Sequence, residues 1–119
     1  YGVRIVVGEA TVTAEPHAVV YRFLDRVAVK GRAEPFLCYE VLARAGALEP
    51  AALRRLGRYH EAIALYRARR WEDTLRLLDE LAAEAPADGP VALYRRRARA
   101  LLVDPPPADW DGVFIAESK

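Results

Sequence analysis

Hydrophobic and polar positions follow a two-residue period in the first third of the chain. Residues 1–7 contain a β-branched run that is typical of a buried strand. Residues 19–29 then alternate, with Arg22 and Arg26 on the polar face. The side chains expected together on the apolar face are Val19, Tyr21, Phe23, Val27 and Val29. Asp25 interrupts this segment, which indicates a bulge or an edge position.

A turn separates this strand from the next apolar segment. Gly31 supplies a positive φ and Pro35 cannot pair as a central strand residue, so residues 30–35 are predicted to reverse the chain. Residues 36–42 read as the returning strand, and the two strands form a hairpin. Upstream, residues 9–15 are expected to form two helical turns, which Pro16 ends.

From Glu49 onward the period becomes helical. A first helix is predicted to begin at Glu49 and Pro50, with one apolar face made of Leu53, Leu56, Tyr59, Ile63 and Tyr66. A second helix is predicted from Trp71 to about Ala85. A third is expected over residues 88–103, ended by three prolines and with its inner side formed by Val91, Tyr94, Ala98, Leu101 and Leu102.

These elements predict an α+β chain: a partial antiparallel sheet over residues 1–45, a helical unit over residues 46–103 and an extended tail over residues 104–119. The first two helices resemble a tetratricopeptide repeat, with residues 88–103 as a capping helix. The matching positions are Ala62, Leu65, Trp71, Thr74, Leu78, Leu81 and Pro86. Arg69 replaces the Gly usual in the turn, and Thr74 replaces the usual Ala.

Composition narrows the possible functions. The 119 residues carry 18 Lys or Arg against 17 Asp or Glu, and this balance argues against a general nucleic-acid or membrane-surface binder. Cys38 is the only cysteine, so no internal disulfide can form and a reducing, cytoplasmic setting is expected. No apolar run approaches the ~20 residues of a membrane span. Because no methionine is present, we expect the chain to begin inside a longer reading frame.

Candidate catalytic chemistry is sparse. His17 and His60 are too isolated for a metal site, and Cys38 is predicted to be a small core residue. The arginines near residues 95–99 are interpreted as a solvated helix face paired with acids, with a basic patch as the alternative. Trp110 is expected to anchor the tail on the helices. The residues themselves therefore indicate no catalytic group and no metal ligand.

Several segments, in this order and spacing, resemble the end of a class III adenylate or guanylate cyclase. Residues 8–11 read Gly-Glu-Ala-Thr, and residues 29–35 read Val-Lys-Gly-Arg-Ala-Glu-Pro between two strands. The helical part and residues 105–113 resemble the tail that many bacterial cyclases carry. The resemblance implies that the sheet is a fragment of the ferredoxin-like cyclase domain.

The resemblance also implies an enzymatic function, most of whose residues would lie outside this chain. The parent would be a phosphorus–oxygen lyase that makes cyclic AMP from ATP, or cyclic GMP from GTP, with Mg or Mn. Its catalytic residues would lie upstream, so this chain alone is predicted to be inactive and to hold no cofactor. Lys30 matches the hairpin lysine that contacts the substrate phosphates, with Arg32 as the fallback.

Partners follow from the same resemblance. Class III catalysis needs two paired domains, which makes a homodimer the expectation, with ATP bound only by the intact parent. An upstream membrane anchor is compatible with the family. Because a three-stranded piece exposes an edge and an apolar face, we expect it to dimerise, swap strands or bury that face on its helices. The alternative is a non-catalytic, tetratricopeptide-like module that binds a protein through residues 49–103.

Overall fold

The computed structural model describes residues 6–8, 19–28, 36–44 and 46–113. Within these ranges an antiparallel sheet precedes three helices, which confirms the α+β class. The strands are β1 (Val6–Gly8), β2 (Val19–Val27) and β3 (Phe36–Arg44). The helices are α1 (Pro50–Arg67), α2 (Trp71–Glu84) and α3 (Gly89–Val103). The helix predicted over residues 9–15 lies outside the described residues.

Strand β3 occupies the centre of the sheet, in the order β1–β3–β2. The predicted pairing of β2 with β3 is confirmed, with Phe23 opposite Tyr39 and Arg22 opposite Glu40. The register shifts between Phe23 and Asp25, which is the bulge that Asp25 indicated, and shifts again between Val20 and Tyr21.

These two shifts correct one expectation about the faces of β2. Residues directly opposite each other in an antiparallel pair share a face. Tyr21 and Phe23 lie opposite Val41 and Tyr39, whereas Val19 and Val27 lie opposite Arg44 and Phe36, on the other face of β3. Each shift adds one unpaired residue and reverses the alternation, so the predicted single apolar face is wrong.

All three helices begin, and α2 and α3 also end, within two residues of their predicted bounds. Pro50 opens α1, and the Asp88 carboxylate caps α3 by accepting from the Val91 amide at 3.4 Å. Ala62 of α1 and Ala98 of α3 have no exposed surface, so both small residues lie inside the helical packing. Around them lies a core of Tyr59, Ile63, Tyr66, Trp71, Leu78, Leu81, Val91 and Tyr94.

Two leucines that were predicted to point inward are exposed instead. Leu53 is 45 % exposed and Leu102 is 42 % exposed. A residue advances by about 100° around an α-helix, so two three-residue steps place Leu53 roughly 120° from Tyr59. Leu102 follows Leu101, which takes the inward position and packs against the core.

Both departures from the tetratricopeptide pattern have local explanations. Arg69 adopts a φ of 68°, the left-handed conformation for which the repeat usually uses Gly. Its guanidinium donates to the carbonyls of Pro106 and Pro107 at 2.7 and 2.6 Å, tying the tail to the α1–α2 turn. The buried Thr74 hydroxyl donates to the Arg70 carbonyl at 2.7 Å, so it is satisfied within the helix.

The tail packs on the helices through Trp110, as expected. Its ring meets Tyr66 and Trp71 edge-on, with ring centres 5.4 and 5.5 Å away. The indole N–H donates to the Val113 carbonyl at 2.7 Å, which closes the tail over the ring. Among the described helices none is long and apolar enough to cross a membrane.

Candidate functional site

The outer edge of β2 is capped by helix side chains. The Tyr59 hydroxyl donates to the Phe23 carbonyl at 2.8 Å, and the Phe23 amide donates to His60 Nε2 at 3.1 Å. One residue further, the Tyr94 hydroxyl donates to the Leu24 carbonyl at 2.6 Å. An edge strand otherwise leaves such backbone groups open to another chain. Side chains from α1 and α3 therefore take the place that a neighbouring strand would have.

A buried ion pair fastens the same stretch of β2 to α3. Arg97 Nη1 and Nη2 each lie 2.8 Å from one carboxylate oxygen of Asp25. The side chains are only 13 % and 5 % exposed. Burial alone would lower the pKa of Arg97, but the hydrogen bonds and charge of Asp25 outweigh it and raise that pKa. The Arg97 guanidinium therefore remains charged.

Arg22 makes the third connection, one position before Phe23. Its guanidinium contacts Glu40 of β3 at 2.6 Å and Asp88, the cap of α3, at 2.7 Å. It also lies over the Tyr59 ring, 5.1 Å from the ring centre. This one side chain thus links both strands of the hairpin to α1 and α3.

We call these contacts together the β2–helix seam. Its members on β2 are residues 22–25, and its members on the helices are Tyr59, His60, Tyr94 and Arg97. The sheet and the helical unit are joined through polar groups that are mostly buried and hydrogen-bonded. Removing one partner of such a buried polar pair strongly destabilises the folded protein. The seam therefore fixes the position of the sheet relative to the helical unit.

The predicted phosphate-binding residues, Lys30 and Arg32, lie outside the described residues. Both strands that flank their turn are described: β2 ends at Val27 and β3 begins at Phe36. The seam contacts therefore hold β2 at residues 22–25, a few positions before Lys30 in the sequence.

Arg97 corrects the interpretation of residues 95–99 as a solvated face. The Arg97 side chain is only 13 % exposed and packs against the buried Asp25, because the bulge in β2 turns that carboxylate toward α3. Its neighbour Arg95 pairs with Asp79 at 2.9 Å on the surface, as expected of a helix face, while Arg96 is exposed. A continuous basic patch is therefore not formed by these three residues.

The histidine and cysteine candidates have structural surroundings. Burial, followed by the charge of Arg22, lowers the pKa of His60, whose Nε2 accepts from β2. Cys38 is buried, and burial followed by the charge of Asp25 raises its pKa above the ordinary value. A thiol with a raised pKa is a poor nucleophile at neutral pH.

The residues present do not fit the metal that the resemblance implies for the parent. Within the described ranges, no group of three His, Cys, Asp or Glu side chains converges. Asp25, the carboxylate at the bulge, is held by Arg97 rather than open to a cation.

Comparison of the chain with protein-family models, with curated proteins and with solved structures finds no match.

The seam residues were missed by sequence reasoning. One signal was present: Asp25 stands in an apolar strand, and a buried carboxylate needs a cationic or hydrogen-bonding partner. The sequence offers many arginines as that partner, and Arg97 is 72 positions away. Tyr59 and Tyr94 were assigned to the core by their period, which gives no information about where their hydroxyls donate.

Proposed function

We propose that this chain is the C-terminal part of a class III nucleotide cyclase, in which α1, α2 and α3 brace the β2–β3 hairpin. The sequence resemblance supports the family. The observation that carries the bracing role is the β2–helix seam, above all the ion pair between Asp25 and Arg97. The helical unit packs against β2, the strand that leads into the turn. We therefore assign it the role of holding that turn in position.

In this proposal the turn acts on substrate and the helices act on the turn. Lys30 is suited to contact a triphosphate as a compact point charge, with Arg32 as a second cation. A phosphate contact aids reaction only when it is held in the productive geometry. The parent converts ATP to the 3′,5′-cyclic nucleotide and pyrophosphate with Mg or Mn bound upstream, and two such domains pair as a homodimer.

The competing proposal is a tetratricopeptide-like module that holds a partner peptide on its helices. Such a module needs an open surface on α1 and α3. In this chain Tyr59, His60, Tyr94 and Arg97 direct that surface to β2. This arrangement favours bracing within one chain over capture of a separate protein.

The test is an assay of cyclic AMP formation, with Mg or Mn, by the parent protein that this proposal requires. Three variants are compared with the wild type: Lys30→Ala, Arg97→Met and, as the matched control, Arg96→Met. Arg96 is exposed and neighbours Arg97, so its variant makes the same chemical change outside the seam. We expect cyclase activity, a loss of about tenfold or more in Lys30→Ala and in Arg97→Met, and wild-type activity in Arg96→Met.

Two results would overturn parts of the proposal. If the parent protein forms no cyclic nucleotide from ATP or GTP, the cyclase assignment is wrong. If it is active and removal of residues 49–119 leaves both activity and dimerisation unchanged, the helices do not brace the hairpin and the independent binding module is favoured.

A further inference from the structure

A groove of about 200 Å³ opens where the hairpin meets the helices. Apolar side chains from every part of this junction line it: Leu42 of β3, Leu48 just before α1, Ala52 and Leu56 of α1, Leu81 of α2 and Val91 of α3. An engineered apolar cavity of about 150 Å³ is large enough for benzene, so this groove accommodates a hydrocarbon body of roughly six to eight carbons.

The charged side chains around the groove indicate which polar group a bound molecule would carry. Arg22 and Asp88 lie on its wall, and Arg22 pairs with both Asp88 and Glu40. Arg58 engages Glu80 and Glu84. Arg55 also lines the groove, is exposed, and forms no ion pair within the described ranges. Among the described residues that line the groove, Arg55 is therefore the one cation without an ion-pair partner, and its charge complements an anion.

We propose that this groove binds a small amphipathic carboxylate, with its hydrocarbon body between α1 and the sheet and its carboxylate at Arg55. Ligand sites are typically apolar clefts with a few polar groups that fix orientation, which is the arrangement found here. The inference goes beyond the proposed bracing role and does not depend on the cyclase assignment. Because walls from β3, α1, α2 and α3 meet in the groove, an occupant also strengthens the junction between hairpin and helices.

Octanoate, below its micellar concentration, is the probe, and n-octanol is the uncharged comparison. Binding to the 119-residue chain is followed by amide chemical-shift titration, with thermal unfolding recorded for every variant. Ala52→Phe fills the groove, and Ala51→Phe makes the same change at an exposed neighbour outside it. Arg55→Ala removes the rim charge, and Arg54→Ala is its matched control on the exposed surface.

The proposal expects saturable octanoate binding in the wild type, Ala51→Phe and Arg54→Ala. It expects loss of binding in Ala52→Phe with folding retained, and a weakening of about twofold to fivefold in Arg55→Ala, the range of an exposed ion pair. Octanol binding is expected to be the same in Arg55→Ala as in the wild type. Absence of saturable binding, or binding that survives in folded Ala52→Phe, overturns the site. Equal octanoate affinities in Arg55→Ala and Arg54→Ala overturn the carboxylate assignment.

Discussion

Arg97 and Asp25, 72 positions apart in the sequence, form a buried ion pair with two parallel hydrogen bonds of 2.8 Å. Asp25 is also an acceptor for the Arg26 amide at 2.9 Å, so its carboxylate is fixed on the strand side as well. Two parallel bonds fix the orientation of the two planar groups as well as their distance. The pair therefore sets how β2 lies against α3.

Removing one partner of this pair should destabilise the folded protein. Arg97→Met leaves the Asp25 carboxylate buried without its cation, so we expect the free energy of unfolding to fall by about 3–5 kcal/mol. Urea unfolding followed by circular dichroism measures this loss. Arg96→Met, on the exposed surface next door, should stay within about 0.5 kcal/mol of the wild type.

The double variant Asp25→Leu, Arg97→Met tests whether the stability lost in Arg97→Met comes from the unpaired Asp25 charge. An apolar replacement of both partners removes the unpaired charge, so most of the stability lost in Arg97→Met should return. If the double variant is as unstable as the sum of the two single variants, the two side chains do not act on each other.

Two buried tyrosines allow a matched comparison. The Tyr94 hydroxyl donates to the Leu24 carbonyl, whereas the buried Tyr66 hydroxyl lies beside the Arg97 guanidinium and bonds to no backbone carbonyl of the described residues. Tyr94→Phe leaves a buried carbonyl unsatisfied and should lower the free energy of unfolding by about 1–3 kcal/mol. Tyr66→Phe leaves no backbone carbonyl unsatisfied and removes only the contact with Arg97, so its loss of stability should be smaller than that of Tyr94→Phe. Equal losses in the two variants would contradict the assigned bond.

His60 should make stability depend on pH. Its folded-state pKa is lowered by burial and by Arg22, so the unfolded chain takes up a proton at higher pH than the folded chain does. The contribution of neutral His60 is complete above about pH 6.5, the ordinary histidine pKa, and is lost as the pH falls below it. Protonated His60 can no longer accept from the Phe23 amide.

Urea unfolding between pH 5 and 8 checks this dependence. His60→Gln keeps an acceptor but does not titrate, so its stability should vary less with pH than that of the wild type. Tyr59→Phe is the control, because it removes a neighbouring seam bond without removing a group that titrates in this range. Its loss should be the same at each pH, and an unchanged pH dependence in His60→Gln would show that another group is responsible.

Arg69 has a left-handed backbone conformation, and its side chain hydrogen-bonds to the tail. Arg69→Ala loses the bonds to Pro106 and Pro107 and keeps the positive φ, whereas Arg69→Gly loses the same bonds and relieves the φ. Arg69→Gly should therefore be more stable than Arg69→Ala by about 1 kcal/mol. Thermal unfolding compares them, and equal stabilities would mean that the turn does not keep its left-handed residue.

The sequence predicted the local elements because periodicity, Pro and Gly act over a few residues. The hairpin, the bulge at Asp25 and the three helices all follow from such signals. The burial of Arg97 does not, because nothing within its helix distinguishes it from Arg95 or Arg96. The groove likewise depends on where Leu42 and Val91 meet in space, which no local pattern encodes.

The central claim is that the hairpin and the helices form one cooperative unit through the seam. Native-state amide hydrogen exchange tests it by giving the free energy of opening at each amide. We predict that the most protected amides of β2 and β3 open with the same free energy as those of α1 and α3, and that Arg97→Met lowers both sets together. Hairpin amides that open at a much lower free energy than the helices, or an Arg97→Met effect confined to one set, would contradict the account.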